Sequence, residues 1–119
     1  MNAHANIVVA LPADLIFAAR MRGAAASAVN VILARDAADF LTKIRELQPR
    51  LAVLDLDRRG LDVEQVVRAV KTTSSTPLLA YVSHVREDLI AVAQQAGADR
   101  VMARGAFAKQ MGEILRWER

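Results

Sequence analysis

The sequence contains no cysteine, which excludes disulfide bonds, thiolate nucleophiles and cysteine-based metal sites. Aromatic residues make up only 4% of the chain, and its arginines and lysines are scattered along it. Because nucleic-acid surfaces combine clustered positive charge with aromatic stacking partners, we expect no direct contact with nucleic acid. No apolar run approaches the length of a membrane span, and no basic segment followed by a long apolar run opens the chain. We therefore expect a cytoplasmic protein that contacts no membrane.

The remaining composition is that of one folded domain. The chain has 119 residues, of which 54% are hydrophobic, so residues 1–119 are expected to form a single domain with its own core. Sixteen basic residues against 13 acidic residues give a net charge of only +3. No glycine-rich loop follows the first apolar run, so nucleotide or flavin binding has no local support.

The most informative stretch is Leu51-Ala52-Val53-Leu54-Asp55-Leu56-Asp57. Its apolar run reaches Asp55 without polar alternation, which is typical of a strand buried on both faces of a parallel sheet. In open α/β sheets, ligands bind in the crevice at the carboxyl ends of the central strands. Asp55 is therefore the first candidate for a functional side chain.

Apolar periodicity predicts five strand–helix units. Strands are predicted at residues 6–11, 30–34, 51–55, 77–82 and 100–103. Helices are predicted at residues 15–21 with a weaker continuation to 27, and at 37–47, 63–70, 89–96 and 107–117, with a polar loop at 72–76. Asp14, Asp36 and Asp62 are predicted N-caps, and Gly97 is a predicted helix end. Short connections between such units favour right-handed crossovers and a parallel sheet covered on both faces.

Over essentially its whole length, the sequence resembles the receiver domain of two-component response regulators. The most specific stretch is the Leu51 run with Gly60 behind it, followed by Thr76-Pro77-Leu78-Leu79 and Ala96-Gly97-Ala98-Asp99. The resemblance implies a flavodoxin-like α/β fold: a doubly wound, five-stranded parallel sheet of order 2-1-3-4-5 in a three-layer α/β/α arrangement. It also implies that Asp55 stands where the family accepts a phosphoryl group from a histidine kinase.

Other site positions of the family are altered in this sequence. The acidic pair that ends the first strand and holds Mg²⁺ is replaced by Leu11 and Pro12, so Mg²⁺ binding is expected to be weak or absent and no other cofactor is expected. Asp14 is the nearest substitute carboxylate, but it is expected to be occupied as a cap. The family's hydroxyl position is Val82 here, with Ser83 one residue later. Its lysine position is Arg104, the proline position after that is Gly105, and its aromatic position is Val101. Asp57 stands where the family uses a backbone carbonyl at the site.

Two functional hypotheses follow from the resemblance. The preferred one is an atypical receiver, a pseudo-receiver without enzymatic activity that serves as a phosphorylation-independent protein-interaction module. The alternative is a working phosphoacceptor modified on Asp55 by a histidine kinase or a small phosphodonor. Asp55 also has a purely structural alternative, in which it pairs with Arg104.

The resemblance further implies a protein partner, which would be a kinase, an output domain or an effector. The chain could also pair with a second copy of itself. The expected contact face is residues 89–117. Its candidate interface residues are Leu89, Val101, Phe107, Met111 and Trp117, for which core packing is the alternative role.

Overall fold

The computed structural model describes residues 6–83 and 86–116. The strands are β1 (Ile7–Leu11), β2 (Asn30–Leu33), β3 (Leu51–Asp55), β4 (Leu78–Val82) and β5 (Arg100–Ala103). The helices are α1 (Leu15–Ala25), α2 (Ala37–Leu47), α3 (Val63–Thr73), α4 (Glu87–Ala96) and α5 (Arg104–Arg116). Within these described ranges, none of the helices has the length and apolarity needed to cross a membrane.

The five strands form one parallel sheet in the order β2-β1-β3-β4-β5, which confirms the predicted flavodoxin-like fold. Val53 at the centre of β3 lies opposite Ala10 of β1 and Leu79 of β4. At the carboxyl end of the same strand, Asp55 lies opposite Tyr81. Because all strands run in one direction, their carboxyl ends form a single edge, and Asp55 lies near its middle.

Two apolar cores cover the two faces of the sheet. One core packs β-strand side chains against α2, α3 and α4, with Phe40 and Val67 completely buried in it. The other packs the opposite face against α1 and α5 through Phe17, Phe107 and Met111. This is the predicted three-layer arrangement. In α2 and α3 the buried face follows from the apolar spacing, whereas α1 leaves Leu15 and Ile16 exposed.

Local signals in the sequence mark the starts of three helices and the end of a fourth. Asp14, Asp36 and Asp62 each accept a hydrogen bond from the backbone N–H three residues later, which confirms all three predicted N-caps. Gly97 follows α4 with φ of 111°, a left-handed conformation that favours glycine, as predicted for a helix end.

Two predicted helix boundaries were wrong by three residues, and α4 begins at Glu87, two residues earlier than predicted. α3 continues to Thr73, because the hydroxyls of Thr72 and Thr73 donate to carbonyls one turn earlier and so remain compatible with the helix. α5 begins at Arg104, directly after β5, three residues before its first large apolar residue, Phe107. The apolar period marks only the buried face, so it does not detect a first turn built from Arg104, Gly105 and Ala106.

Candidate functional site

Asp55 is completely buried at the carboxyl end of β3, with an exposed fraction of 0%. One of its carboxylate oxygens, Oδ1, accepts a hydrogen bond of 2.9 Å from the backbone N–H of Asp57. The other, Oδ2, accepts one of 3.1 Å from the backbone N–H of Ala13. The carboxylate therefore ties the end of β3 to the loop after β1, and both of its oxygens are engaged by the protein itself.

The peptide group between Pro12 and Ala13 connects Asp55 to a cation. Its N–H donates to Asp55, and its carbonyl oxygen accepts a hydrogen bond of 2.9 Å from the guanidinium of Arg58. A second nitrogen of Arg58 donates to the carbonyl of Arg35, beyond β2. Arg58 thus holds the ends of β1, β2 and β3 together. Nothing in the spacing of this arginine in the sequence indicates which carbonyls it reaches.

Arg104 pairs with Asp14, so the predicted alternative of an Asp55–Arg104 pair is wrong. The guanidinium of Arg104 lies 2.7 Å from Asp14 Oδ2 and 4.5 Å from the ring centre of Phe17, on which it stacks. Asp14 Oδ1 caps α1 at the same time through the N–H of Phe17. The Arg104 guanidinium and the Phe17 N–H together lower the pKa of Asp14, and Asp14 in turn raises the pKa of Arg104. Asp55 contributes only a weaker, longer-range attraction to Arg104.

Asp57 uses its side chain to fix the loop after β4. Its Oδ2 accepts hydrogen bonds from the backbone N–H of Ser83 at 2.8 Å and from the Ser83 hydroxyl at 2.6 Å. Ser83, one residue after the family's hydroxyl position, is therefore bound to Asp57. Val82 is completely buried in the core beside α2, α3 and α4.

The side chains at this edge do not fit a magnesium ion. Mg²⁺ needs near-octahedral oxygen ligands, including at least one free carboxylate. Both oxygens of Asp55 accept backbone N–H groups, Asp14 is bound by Arg104, and Asp57 is bound by Ser83. Across residues 6–83 and 86–116, no three acidic, histidine or cysteine side chains come together as a metal-ligand group.

Tyr81 is a site residue that sequence analysis missed. It is completely buried, and its ring is stacked between Phe17 and Phe107 with centroid distances of 4.8 Å on each side. Its hydroxyl is close enough to Asp55 for each group to shift the pKa of the other, but within the described structure it has no partner at hydrogen-bond geometry. Burial and the nearby carboxylate hold the pKa of Tyr81 far above its usual value. The available signal was the β3–β4 pairing, which places residue 81 opposite Asp55.

Burial raises the pKa of Asp55 above 3.8, although the N–H groups of Asp57 and Ala13 partly oppose the shift. A raised pKa means that the fold favours the protonated acid. The contribution of Asp55 to stability is therefore complete below the unfolded-state pKa and is lost as the pH rises through the folded-state pKa.

We expect Asp55→Asn to gain stability relative to the parent as the pH rises from about 3 to 8, because it removes the buried charge. Urea unfolding of both proteins across this range measures the difference. Asp39→Asn is the control, for which the opposite sign is expected. Lys43 lowers the pKa of Asp39 to about 2. This variant should therefore lose stability relative to the parent as the pH rises through the lower part of the range. A difference between Asp55→Asn and the parent that does not change with pH would contradict the raised pKa.

The other predicted site and interface residues lie as follows. Leu11 and Pro12 are buried at the end of β1, with Leu11 in the core beside α2 and α3. Leu89 and Val101 are half-buried against the same core. Phe107 and Met111 are buried against the opposite face of the sheet, so they pack in the core and offer no surface to a partner, because the apolar stripe of α5 faces inward. Trp117 lies outside the described residues.

Comparisons with known proteins agree with this architecture. A protein named protein-glutamate methylesterase/protein-glutamine glutaminase 5, from Myxococcus xanthus (strain DK1622), is 41% identical over 68 residues; the match covers 56% of this chain and 20% of that protein. The signal receiver domain of the putative response regulator NarL from Mycobacterium tuberculosis superposes with a TM-score of 0.79 at 25% identity, covering 94% of each chain. The Mn²⁺-bound form of response regulator Rcp1 has a TM-score of 0.70 at 14% identity, covering 93% of this chain and 89% of that one.

None of the protein-family models compared with the chain matches it. The similarity rests instead on the strand order, on the acid at the end of β3 and on the structural matches, of which the NarL receiver domain covers 94% of this chain. The chain therefore has the fold of the receiver domains of response regulators, and it is similar to them over nearly its whole length.

Proposed function

We propose that this chain is a pseudo-receiver, which acts as a phosphorylation-independent protein-interaction module and has no enzymatic activity of its own. The observation that carries this proposal is the complete burial of Asp55 with both oxygens bound by backbone N–H groups. Phosphoryl transfer requires an attacking oxygen that lies in line with the donor phosphate. Both oxygens of Asp55 are buried and each already accepts a backbone N–H, so neither is exposed to a donor phosphate.

The electrostatics of the edge support the same proposal. A receiver that binds a divalent ion, as the Mn²⁺-bound Rcp1 does, needs carboxylate ligands next to the acceptor. Here Leu11 and Pro12 offer no side-chain oxygen, and the guanidinium of Arg58 donates a hydrogen bond to the carbonyl of Pro12. We therefore propose that Mg²⁺ binds weakly or not at all, and that the fold keeps one conformation without it.

We propose that the partner is a protein, namely a kinase, an output domain or an effector. We further propose that residues 1–119 form a single domain that binds this partner in the cytoplasm. The proposed contact face is the exposed side of α4 with the adjoining edge strand β5. It presents Val92, which is exposed, and the half-buried Ile90 and Val101, beside Glu87 and Asp88 in the first turn of α4. Mixed apolar and charged surfaces of this kind are typical of transient protein interfaces.

The alternative function is a phosphoacceptor, and one observation favours it: Asp55 occupies the end of β3, where receivers carry their acceptor. Modification would require the loop that contains Ala13 to open, since its N–H occupies one oxygen. A histidine kinase or a small phosphodonor would then have to supply the phosphoryl group without an acidic metal site.

Incubation with acetyl phosphate and Mg²⁺, followed by intact-mass measurement, separates the two functions. We expect no mass gain corresponding to a phosphoryl group in the parent chain. Asp55→Ala is the matched control, and a receiver with an intact acidic pair is the positive control for the reaction. A gain that the parent shows and Asp55→Ala lacks would establish the phosphoacceptor function. Beryllofluoride titration followed by amide NMR examines the same site without covalent chemistry, and we expect no shift at Ala13 or Asp57.

A further inference from the structure

A cleft lies between α1 and the start of α5, beside the aromatic stack. Its volume is about 350 Å³, and its walls include the ring of Phe17, the side chains of Arg20 and Arg104, and the turn at Gly105. Pockets for small organic ligands have volumes of about 300–1,000 Å³, so this cleft is at the lower end of that range. A side chain is absent at Gly105, and the space where its Cβ would lie is open.

Two guanidinium groups are positioned in this cleft by one aromatic ring. Arg104 lies 4.5 Å and Arg20 lies 5.5 Å from the ring centre of Phe17. Phe17 is itself buried and stacked on Tyr81, so its ring is a rigid support for both cations. Arginines held in this way lose little conformational freedom when they bind an anion.

The positive charge of the cleft is only partly compensated. Arg104 has an ion-pair partner in Asp14, but Arg20 has none among the residues that the structure describes. Within residues 6–83 and 86–116, no carboxylate lines the cleft. Ser83 also lines it, but its hydroxyl is uncharged and does not neutralise the guanidiniums. The first turn of α5 adds the positive end of a helix dipole.

We infer that this cleft binds a small organic oxyanion, a phosphate monoester or a carboxylate attached to a compact apolar body. The oxyanion pairs with Arg20 and with the exposed side of Arg104, and the apolar body lies against Phe17, Ala103 and Ala108. Such binding leaves Asp55 untouched and would give the module an input that needs no phosphorylation. The inference rests on the cleft alone and does not depend on the proposed interaction function.

Amide NMR titration at low ionic strength tests the inference, with phenyl phosphate, benzoate, benzyl alcohol and inorganic phosphate as probes. We expect phenyl phosphate or benzoate to shift the amide signals of Ser83, Gly105 and Ala108, and benzyl alcohol to leave them unchanged. Inorganic phosphate should compete with whichever probe binds, but more weakly, because it lacks the apolar body. The comparison of phenyl phosphate with benzoate identifies the oxyanion.

Arg20→Gln should weaken binding by about tenfold, the loss expected for one charge-assisted hydrogen bond. Arg22→Gln is the matched control, because it removes the same charge from another exposed position on α1. Arg22 does not line the cleft. The inference is overturned if neither oxyanion shifts these signals, if benzyl alcohol binds as well as the oxyanions do, or if both arginine variants weaken binding equally.

Discussion

Tyr81→Ala is expected to lower the free energy of unfolding by about 3–5 kcal/mol, the usual result of removing a buried aromatic ring. The ring of Tyr81 fills the space between Phe17 and Phe107 at 4.8 Å from each, so its loss leaves a cavity and two rings without a stacking partner. Tyr81→Phe should have the opposite sign and raise the free energy of unfolding by about 1 kcal/mol, because it removes a buried hydroxyl that has no hydrogen-bond partner in the described structure. Urea unfolding at neutral pH measures both variants.

The comparison of the two variants separates the ring from the hydroxyl. If Tyr81→Phe were less stable than the parent, the hydroxyl would have to make a hydrogen bond in solution, with Asp55 as the nearest acceptor. Phe107→Leu is a suitable control for the stack, since it keeps an apolar side chain in the same core and removes one aromatic contact. We expect its loss of stability to be smaller than that of Tyr81→Ala.

The fold could be predicted from the sequence because several independent signals agree on it. The uninterrupted apolar runs mark strands that are buried on both faces, and Asp14, Asp36 and Asp62 mark three helix starts. These signals are local, so they do not depend on knowing the tertiary structure. The position of Asp55 also follows from a local signal, because this residue ends the apolar run of its strand.

The partners within the site could not be predicted in the same way. Asp14 and Asp55 both come close to Arg104 in the fold, and the choice between them depends on where α5 begins, which the apolar period of α5 did not indicate. The strand of Tyr81 is apolar on both faces, so the alternation that would assign each side chain to one face is missing. For Phe107 and Met111, helical spacing showed that they share a face, but did not show that this face is turned toward the sheet.

Of the two positions at the end of β1 that lack a carboxylate, Leu11 and Pro12, only Pro12 is suited to receive one. Leu11 is completely buried in the core beside α2 and α3, where an aspartate would be an unpaired buried charge and would destabilise the fold. Position 12 adjoins Asp55 directly, because the Pro12–Ala13 peptide donates to its carboxylate.

Arg58 decides whether a new acid at position 12 is effective. Its guanidinium lies 2.9 Å from the Pro12 carbonyl, so it should pair with an aspartate placed there and repel a cation. We expect Pro12→Asp alone to change Mg²⁺ affinity little, and the double variant Pro12→Asp/Arg58→Ala to increase it by about tenfold or more, since each added carboxylate or removed guanidinium favours a nearby dication by about 1 kcal/mol or more. Amide NMR titration with Mg²⁺ measures the affinity at Ala13 and Asp57.

Two further variants isolate the charge effect. Arg58→Ala alone removes the repulsion but adds no ligand, and Pro12→Asn/Arg58→Ala adds an oxygen without a charge; both should bind Mg²⁺ more weakly than the double variant with aspartate. If all of these variants bind alike, the hydrogen bonds that Asp55 accepts from Ala13 and Asp57 limit metal binding, and the missing acid does not. An increase in the aspartate double variant alone would mean that one substituted carboxylate and one arginine separate this chain from a metal-binding receiver.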